Sequence, residues 1–243
     1  MNGNSNQLDV TIAFVSGANR GLGKALVAAL LGAGATKVYA AARDPRQIEP
    51  GDSRVEPLRL DVTNPEQVAA AARRAVDVTL LINNAGRLSS FNVLNASPAE
   101  LEADFGVQVH GTLSVIKAFV PVLARARGGA TLVNVLSLAA LASVPTMGGY
   151  SASKAAAYSI TQALRPELGK KAIRVLAALP GPIDTDMVKD FQLPKASAAD
   201  TAEQIVAGIV RGDEEIFPDE MAQQMGSLWL RDPKACERTL ASF

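Results

Sequence analysis

Thr11-Ile-Ala-Phe-Val-Ser-Gly-Ala-Asn-Arg-Gly-Leu-Gly23 is the segment whose local pattern decides the fold. Its apolar first half predicts a buried β-strand that ends at Val15. The glycines at positions 17, 21 and 23 allow a tight turn and a close approach of the backbone to a ligand. A helix that begins near Leu22 offers its N-terminal amides to an anion. The segment therefore predicts a strand, a phosphate-binding turn and a helix, which together form a dinucleotide-binding loop.

Short apolar runs alternate with Ala/Leu-rich helical patterns along the rest of the chain. Such runs suit strands that are buried on both faces, and the helices between them supply right-handed crossovers. The sequence thus predicts an α/β protein with a doubly wound parallel sheet and helices on both faces. Ligands of such a sheet bind beyond the carboxyl ends of its strands. The seven predicted strands are Thr11–Val15, Lys37–Ala42, Arg54–Leu60, Thr79–Asn83, Thr131–Leu136, Arg174–Leu179 and Glu215–Phe217.

Composition and charge limit the class of protein. The chain has 243 residues, 48% of them apolar, and no linker-like stretch divides it, so we expect one domain over 1–243 with a flexible N-terminus at 1–9. The 24 Lys and Arg residues equal the 24 Asp and Glu residues, so neither nucleic acid nor a membrane is an expected partner. With one Cys and one His, no thiol or imidazole metal site is expected. The single Cys is typical of a reducing compartment, so we expect a cytoplasmic location.

Three residues at a particular spacing indicate proton-transfer chemistry. Ser137 precedes Tyr150 by thirteen residues, and Lys154 follows it by four. If Tyr150 opens a helix, Lys154 lies one turn along the same face, with its ammonium near the phenol. An adjacent cation favours the phenolate, and a drop in the Tyr150 pKa of roughly three units would correspond to about 4 kcal/mol. A Tyr-xxx-Lys pair alone is more often a solvated helix face, so the prediction depends on the rest of the chain.

Three further segments, in order along the chain, complete a pattern that resembles the short-chain dehydrogenase/reductase family. The resemblance extends from about Thr11 to about Phe217. It implies a single Rossmann domain with strand order 3-2-1-4-5-6-7, and hydride transfer between a nicotinamide cofactor and a carbonyl or secondary alcohol. The segments that carry it, together with Ser137, are Ser16–Gly23, Asn83–Gly86, Tyr150–Lys154 and Pro180–Thr185.

The resemblance also implies roles for individual side chains. Tyr150 provides a proton to the developing alkoxide, and Ser137 hydrogen-bonds the same oxygen. Lys154 lowers the Tyr150 pKa and binds the nicotinamide ribose. The family usually has an asparagine where this chain has Gln108, and that asparagine holds a water that links the lysine to solvent. Glutamine carries the same amide one methylene farther out, so the geometry of the relay is open.

The end of the second predicted strand favours NADP over NAD. An acidic residue there would bind the ribose 2′-hydroxyl of NAD, but the position is Ala42. Arg43 follows it and Arg20 lies in the glycine loop, so two guanidinium groups can converge on a 2′-phosphate. The alternative is a solvated Arg43 whose charge Asp44 partly offsets. The expected cofactor residues are Gly17, Asn19, Arg20, Gly21, Leu22, Gly23, Arg43, Asp61, Val62, Asn83, Ala85, Gly86, Tyr150, Lys154, Pro180, Gly181, Ile183 and Thr185.

The substrate pocket is the part that the sequence specifies least. The resemblance implies walls from the segments after strands four, five and six, and their apolar side chains favour a hydrophobic ketone or aldehyde. We expect residues 186–200 to form a lid, and the tail at 219–243, with Trp229, to close the pocket or to join an oligomer interface. His110 points to a different side of its helix from Gln108, which favours a packing or interface role. The expected substrate residues are Leu88, Phe91, Leu138, Val144, Met147, Met187 and Phe191.

These observations lead to a cytoplasmic NADP(H)-dependent carbonyl reductase or alcohol dehydrogenase that acts on a small molecule as a homodimer or homotetramer. Two alternatives stay open. A dinucleotide-binding regulator that senses the cofactor redox ratio without turnover would not need Ser137, Tyr150 and Lys154 together. An NAD-dependent dehydrogenase is expected to carry an acidic residue in place of the Ala42-Arg43 pair.

Overall fold

The computed structural model describes residues 8–49, 51–89, 92–189 and 192–243, and its centre is a seven-stranded parallel sheet. The strands are β1 (Ile12–Ser16), β2 (Lys37–Ala42), β3 (Val55–Arg59), β4 (Leu80–Asn83), β5 (Ala130–Val135), β6 (Ile173–Ala178) and β7 (Glu215–Ile216). Their order across the sheet is β3-β2-β1-β4-β5-β6-β7, which confirms the expected order. Each predicted strand is present, and its ends differ from the prediction by no more than one residue.

Helices connect the strands and cover both faces of the sheet. Several begin at residues that satisfy free backbone amides: Asn64 accepts a hydrogen bond from the backbone N–H of Gln67, and Ser97 forms a capping box with Glu100. The alanine-rich helix α2 begins at Pro65, whose ring fits the first position of a helix because no backbone N–H is needed there. The α-helices of the described residues are α1 (Gly21–Gly32), α2 (Pro65–Arg74), α3 (Pro98–Phe105), α4 (Thr112–Leu123), α5 (Gly148–Gly169), α6 (Ala198–Arg211), α7 (Glu220–Arg231) and α8 (Pro233–Leu240).

Alternate residues of the strands supply two separate cores, because successive side chains point to opposite faces of a sheet. In β1, Ala13 and Val15 belong to the core shared with α1 and α6. Phe14 belongs to the core shared with α2 and α4, where its ring centroid lies 4.6 Å from that of Phe119. The near-continuous apolar pattern of the strands follows from burial on both sides.

Helices α3 and α4 are continuous through a π-helical turn at Gly106–Gly111. Wide turns of this kind occur often at functional sites. By length and composition alone, the combined helix Pro98–Leu123 is long and apolar enough to cross a membrane, and 44% of its most apolar window is buried inside the protein. Its buried residues include Val115, Ile116 and Phe119 of the sheet-facing core. Packing on the sheet therefore accounts for much of its apolar character.

The loops that follow β1, β4, β5 and β6 meet at one edge of the sheet, because parallel strands all end there. These loops carry the glycine segment, Asn84–Gly86, Ser137 and Pro180–Thr185. After β7 the chain returns to this edge as α7 and α8, whose apolar residues pack against Ala139 and Val144 in the segment after β5. The sequence motifs and the tail thus share one end of the molecule.

Replacing Phe119 by alanine is expected to lower the free energy of unfolding by about 3–5 kcal/mol, because the fully buried ring leaves a cavity and loses its contact with Phe14. Urea denaturation followed by circular dichroism measures the change. Lys117→Ala, on the exposed side of the same helix, is the control and should cost about 0.5 kcal/mol or less. Equal losses in the two variants would contradict this description of the core.

Candidate active site

A cleft of about 810 Å³ opens at the carboxyl edge of the sheet. Its walls extend from the glycine loop, past Arg43 and Asp61, to Ser137 and Tyr150. Sites for small-molecule ligands usually have volumes of about 300–1,000 Å³, so the cleft is large enough for a cofactor and part of a substrate. Within the described ranges, no group of three or more His, Cys, Asp or Glu side chains is arranged to hold a metal ion.

The backbone of the loop after β1 requires glycine and leaves helix amides free. Gly17 has a φ of 68°, and a Cβ on it would lie 2.9 Å from the Cα of Ala85. A Cβ on Gly23 would overlap the carbonyl oxygen of Gly17. Helix α1 begins at Gly21 with no side-chain cap and no acidic residue in its first turn. Free amides at a helix N-terminus bind anions, so the loop fits a pyrophosphate.

Ser16 and Asn84 join the loop after β1 to the loop after β4. Ser16 Oγ accepts hydrogen bonds from the backbone N–H groups of Asn84 and Ala85, each at 3.0 Å. The Asn84 side chain donates to the carbonyl oxygens of Ser16 at 3.0 Å and Gly17 at 3.2 Å. Both residues lie in segments that carry the family resemblance, but neither is among the expected cofactor residues. Two features of the sequence could have identified them: Ser16 is a polar residue at the end of an apolar strand, and Asn84 is the second asparagine of the Asn-Asn-Ala-Gly run.

Asn83, an expected cofactor residue, lies inside the protein and not in the cleft wall. Its amide donates to Asn134 Oδ1 at 2.9 Å, and the Asn134 amide donates to Thr161 Oγ1 of α5 at 2.9 Å. All three side chains are buried. Asn84 lines the cleft in its place. The assignment is corrected by one residue, because neighbouring side chains of an extended segment point in opposite directions.

Ser137, Tyr150 and Lys154 lie together on one wall of the cleft. Helix α5 begins at Gly148, so Tyr150 is in its first turn and Lys154 follows one turn later, as the spacing predicts. Lys154 Nζ donates to the carbonyl oxygen of Val135 at 2.9 Å and lies 5.7 Å from the centroid of the Tyr150 ring. The hydrogen bond to the Val135 carbonyl fixes the position of the amino group at this wall.

Burial dominates the electrostatics of this wall. It raises the pKa of Tyr150 to about 12, with the Ser137 hydroxyl opposing the rise and the Asp104 carboxylate adding to it. Burial also lowers the pKa of Lys154 to about 7. The expectation that Lys154 lowers the Tyr150 pKa is not met in this structure, because desolvation is the largest cause of the shift and the amino group is not among its causes. Tyr150 is a protonated phenol at neutral pH, which is the form that a proton donor needs.

Gln108 lies in the π-helical turn and lines the cleft. Its Nε2 donates to the carbonyl oxygen of Arg87 at 2.7 Å, and its Oε1 would lie 3.3 Å from a Cβ on Gly86. The glutamine is buried and in contact with the loop after β4. Its part in a water relay stays a prediction. His110, two residues later, is exposed on the same turn.

The loop after β2 presents Arg43 to the cleft beside Ala42. Asp44 forms two hydrogen bonds of 2.9 Å with Arg46, which lower the pKa of the Asp44 carboxyl. The charge of Asp44 is thus compensated by Arg46, and across the described residues Arg43 makes no ion pair. Asp44 is therefore not expected to offset the charge that Arg43 would present to a phosphate.

Arg20 takes a partner that the sequence did not predict. Its guanidinium lies 3.2 Å from the carboxylate of Asp186, the first residue of the expected lid, and both side chains are mostly exposed. Exposed ion pairs contribute only about 0.2–1 kcal/mol, so Arg20 can exchange this partner for a phosphate at little cost. Of the remaining expected cofactor residues, those that line the cleft are Gly17, Asn19, Gly21, Leu22, Gly23, Asp61, Val62, Ala85, Gly86, Pro180, Gly181, Ile183 and Thr185.

The substrate end of the cleft is mainly apolar. Phe91 and Phe191, two of the expected substrate residues, lie outside the described residues. The segment expected to form a lid begins with a 3-10 turn at Asp186–Val188, and Ala196 pairs with Ile183 before α6 starts. The expected substrate residues that line the cleft are Leu88, Leu138, Val144, Met147 and Met187.

The C-terminal tail forms part of this wall. Met221, Leu240 and Phe243 line the cleft, and none of them is among the expected substrate residues. Leu240 and the buried Cys236 belong to an apolar cluster against which Tyr150 packs. Of the two roles left open for the tail, the structure thus supports closure of the pocket.

Comparisons with known proteins agree with this geometry. A family model described as short chain dehydrogenase matches residues 11–196. In an alignment of 200 residues, the chain is 33% identical to the NADPH-dependent 1-acyldihydroxyacetone phosphate reductase of Saccharomyces cerevisiae, and the alignment covers 76% of this chain and 65% of that enzyme.

Two solved structures extend the comparison. A short chain dehydrogenase from Burkholderia cenocepacia J2315, in complex with NADP, has a TM-score of 0.89 and 40% identity, with 96% of this chain and 98% of that chain covered. The 3-ketoacyl-(acyl-carrier-protein) reductase from Brucella melitensis, complexed with NADH, has a TM-score of 0.77 and 25% identity, with 88% and 93% covered. The fold, the arrangement of the cleft and these matches together establish that the chain belongs to the short-chain dehydrogenase/reductase family.

Proposed function

We propose that the protein is an NADP(H)-dependent oxidoreductase that transfers a hydride between the nicotinamide and a carbonyl or secondary alcohol. One observation carries the proposal: Ser137, Tyr150 and Lys154 line the same cleft as an uncapped helix N-terminus that fits a pyrophosphate. Carbonyl reduction requires a proton donor next to a bound hydride source, and this cleft has a place for each.

The side chains divide the chemistry between them. Tyr150 donates its phenolic proton to the carbonyl oxygen as negative charge develops there, and Ser137 donates a hydrogen bond to the same oxygen. The cofactor, when bound, supplies the hydride that the carbonyl carbon accepts. Lys154, whose pKa is about 7, returns a proton to the phenolate that is left and is reprotonated from solvent. In alcohol oxidation the same steps run in reverse, with the Tyr150 phenolate as the base.

The choice of NADP rests on Arg43. Arg43 lines the cleft directly after Ala42, and Ala42 occupies the position where an acidic residue would select NAD. Arg46 compensates the charge of the neighbouring Asp44. The yeast relative named as NADPH-dependent and the Burkholderia cenocepacia structure with NADP also support this choice. The Brucella melitensis reductase, complexed with NADH, keeps an NAD-dependent dehydrogenase as the second candidate.

A hydrophobic ketone or aldehyde is the proposed substrate class. Its support is the apolar wall at Leu138, Val144 and Met147, to which Leu240 and Phe243 of the tail add further apolar surface. Such a surface binds hydrocarbon more favourably than a multiply hydroxylated sugar. We also propose a single domain, a homodimer or homotetramer, and a cytoplasmic location, which the single cysteine of the chain supports.

Tyr150→Phe is expected to reduce carbonyl-dependent NADPH oxidation by at least about 100-fold, because the variant lacks the donated proton. The measurement uses a panel of hydrophobic ketones, aldehydes and quinones, with NADPH binding followed by fluorescence. Tyr158→Phe is the matched control: this tyrosine lies two turns later on α5 and donates to Glu215, outside the cleft. It should turn over as the native protein does.

The outcomes separate the candidate functions. Turnover of Tyr150→Phe at the native rate would exclude Tyr150 as the donor. A native protein that binds NADPH tightly but oxidises it with no member of the panel would favour the redox sensor.

Arg43→Ala is expected to lower kcat/KM for NADPH by about tenfold or more, since a charge-assisted hydrogen bond to a phosphate contributes about 1.5–3 kcal/mol. The value for NADH should change by about twofold or less, because NADH has no 2′-phosphate. Steady-state kinetics with both cofactors measures the ratio. Arg73→Ala, on the exposed surface of α2, is the control. A parallel loss with both cofactors would argue against Arg43 as the residue that selects NADP.

A further inference from the structure

Asp219, the residue before α7, is a buried carboxylate whose two oxygen atoms have different partners. Its Oδ1 accepts a hydrogen bond from the backbone N–H of Ala222 at 2.9 Å and so caps the helix. Its Oδ2 accepts a hydrogen bond from the backbone N–H of Gly181 at 2.8 Å, in the loop after β6. A helix cap needs only one of these oxygens, and burial of a carboxylate is costly. The bond to Gly181 therefore points to a second role.

The amide of Gly181 belongs to the same peptide group as the carbonyl of Pro180, and that carbonyl is held as well. It accepts a hydrogen bond of 3.0 Å from the backbone N–H of Leu138. A carboxylate that accepts from the N–H of a peptide group polarises the group and strengthens its carbonyl as an acceptor. One peptide group thus connects Asp219 to the segment after β5, in which Leu138 directly follows Ser137.

The contact between Asp219 and the loop after β6 is too close for a side chain at Gly181. A Cβ on Gly181 would lie 2.9 Å from Asp219 Oδ1 and 3.4 Å from Met221 Cβ. Both Gly181 and Met221 line the cleft, as do Pro180 and Leu138, whereas Asp219 does not. Asp219 therefore holds residues of the cleft wall without being part of that wall.

We propose that Asp219 is a positioning residue for the reaction, which holds the Pro180–Gly181 peptide group and, through it, the segment that carries Ser137. The inference rests on the proposed function, in which Ser137 hydrogen-bonds the carbonyl oxygen of the substrate and the loop after β6 contacts the cofactor. The shared peptide group fixes these two segments relative to each other. Hydride transfer depends on that alignment, because a displacement of about 1 Å can lower a rate by about 100-fold.

Asp219→Ser separates the two bonds of the carboxylate. Serine is a good helix cap, but its single side-chain oxygen cannot accept from Ala222 and also hold Gly181. We expect kcat for the carbonyl substrate that the native protein reduces fastest to fall about tenfold, since a bond to a charged group is lost. The Kd for NADPH, measured by fluorescence, should change by about twofold or less, because the proposed phosphate contacts lie at the glycine loop and Arg43. If capping were the only role of Asp219, the variant would keep the native kcat.

Asp232→Ala is the matched control. Asp232 caps α8, the next helix of the tail, by accepting a hydrogen bond from the backbone N–H of Ala235 at 3.0 Å. It is exposed and does not line the cleft. Loss of this cap should lower the melting temperature, followed by circular dichroism, by about 2–4 °C. The kcat should stay within about twofold of the native value, and a tenfold loss here would overturn the assignment of a special role to Asp219.

Amide hydrogen exchange tests the connection in the protein without cofactor or substrate. Peptides that contain the amides of Gly181 and Leu138 should exchange at least about threefold faster in Asp219→Ser than in the native protein, because both hydrogen bonds weaken. The same peptides should exchange at the native rate in Asp232→Ala. Native exchange of both amides in Asp219→Ser would overturn the proposal.

A second variant covers the case in which Asp219→Ser does not fold. Gly181→Ala disturbs the same contact from the other side, because its Cβ would meet Asp219 Oδ1. It should lower kcat by a similar factor and speed exchange of the Leu138 amide, and native values of both would overturn the proposal. A native protein without turnover on any substrate of the panel would contradict the proposed function itself. Native turnover together with a native kcat in the Asp219 variant would contradict only the inference about Asp219.

Discussion

The close approach of the loop after β1 to the loop after β4 is the constraint on which the rest of the site depends. Gly17 lies so near Ala85 that a side chain would collide with it, and the hydrogen bonds of Ser16 and Asn84 hold the two loops at that distance. These bonds satisfy the polar groups of the turn without using the first amides of α1. The anion-binding end of the helix therefore stays available to a ligand.

The loop after β4 also connects the two halves of the cleft. On one side it contacts the glycine loop, and on the other it receives the Gln108 side chain and the Asp104 carboxylate through Arg87. A displacement of this loop would change the cofactor cradle and the surroundings of Tyr150 together. Burial has a second effect at this wall. The apolar packing that excludes water from Tyr150 and Lys154 also decides which protonation state of each side chain is populated.

The sequence predicted the framework to within one residue at each strand end. Strands buried on both faces must be apolar almost throughout, so their limits are visible as runs of Val, Leu, Ile and Ala. Given a helix that opens near Tyr150, the step of four residues was enough to place Lys154 one turn along the same face of α5. The sequence left undecided which way individual side chains point. Whether Asn83 or Asn84 faces the cleft depends on where the extended strand ends, and a shift of one residue exchanges the two.

Two further features depended on tertiary structure. Asp104 occurs in the run Leu-Glu-Ala-Asp-Phe, whose acidic residues suggest a solvated helix face, and only the fold shows it to be buried against Arg87. The sign of the Tyr150 pKa shift required knowledge of burial, because a nearby lysine and the loss of water have opposite effects. Neither the burial of Asp104 nor the sign of the Tyr150 pKa shift can be predicted from the local spacing of residues.

The family model ends its match at residue 196, whereas Met221, Leu240 and Phe243, which line the cleft, come after it. The residues proposed to act on the carbonyl, Ser137, Tyr150 and Lys154, and the residues that add this wall are therefore separate along the sequence, although they line the same cleft. Changes in α7 and α8 can alter which molecule fits the cleft without replacing those three side chains. Under the proposed function, evolution or a protein engineer can thus vary substrate selectivity in this segment and keep the catalytic groups.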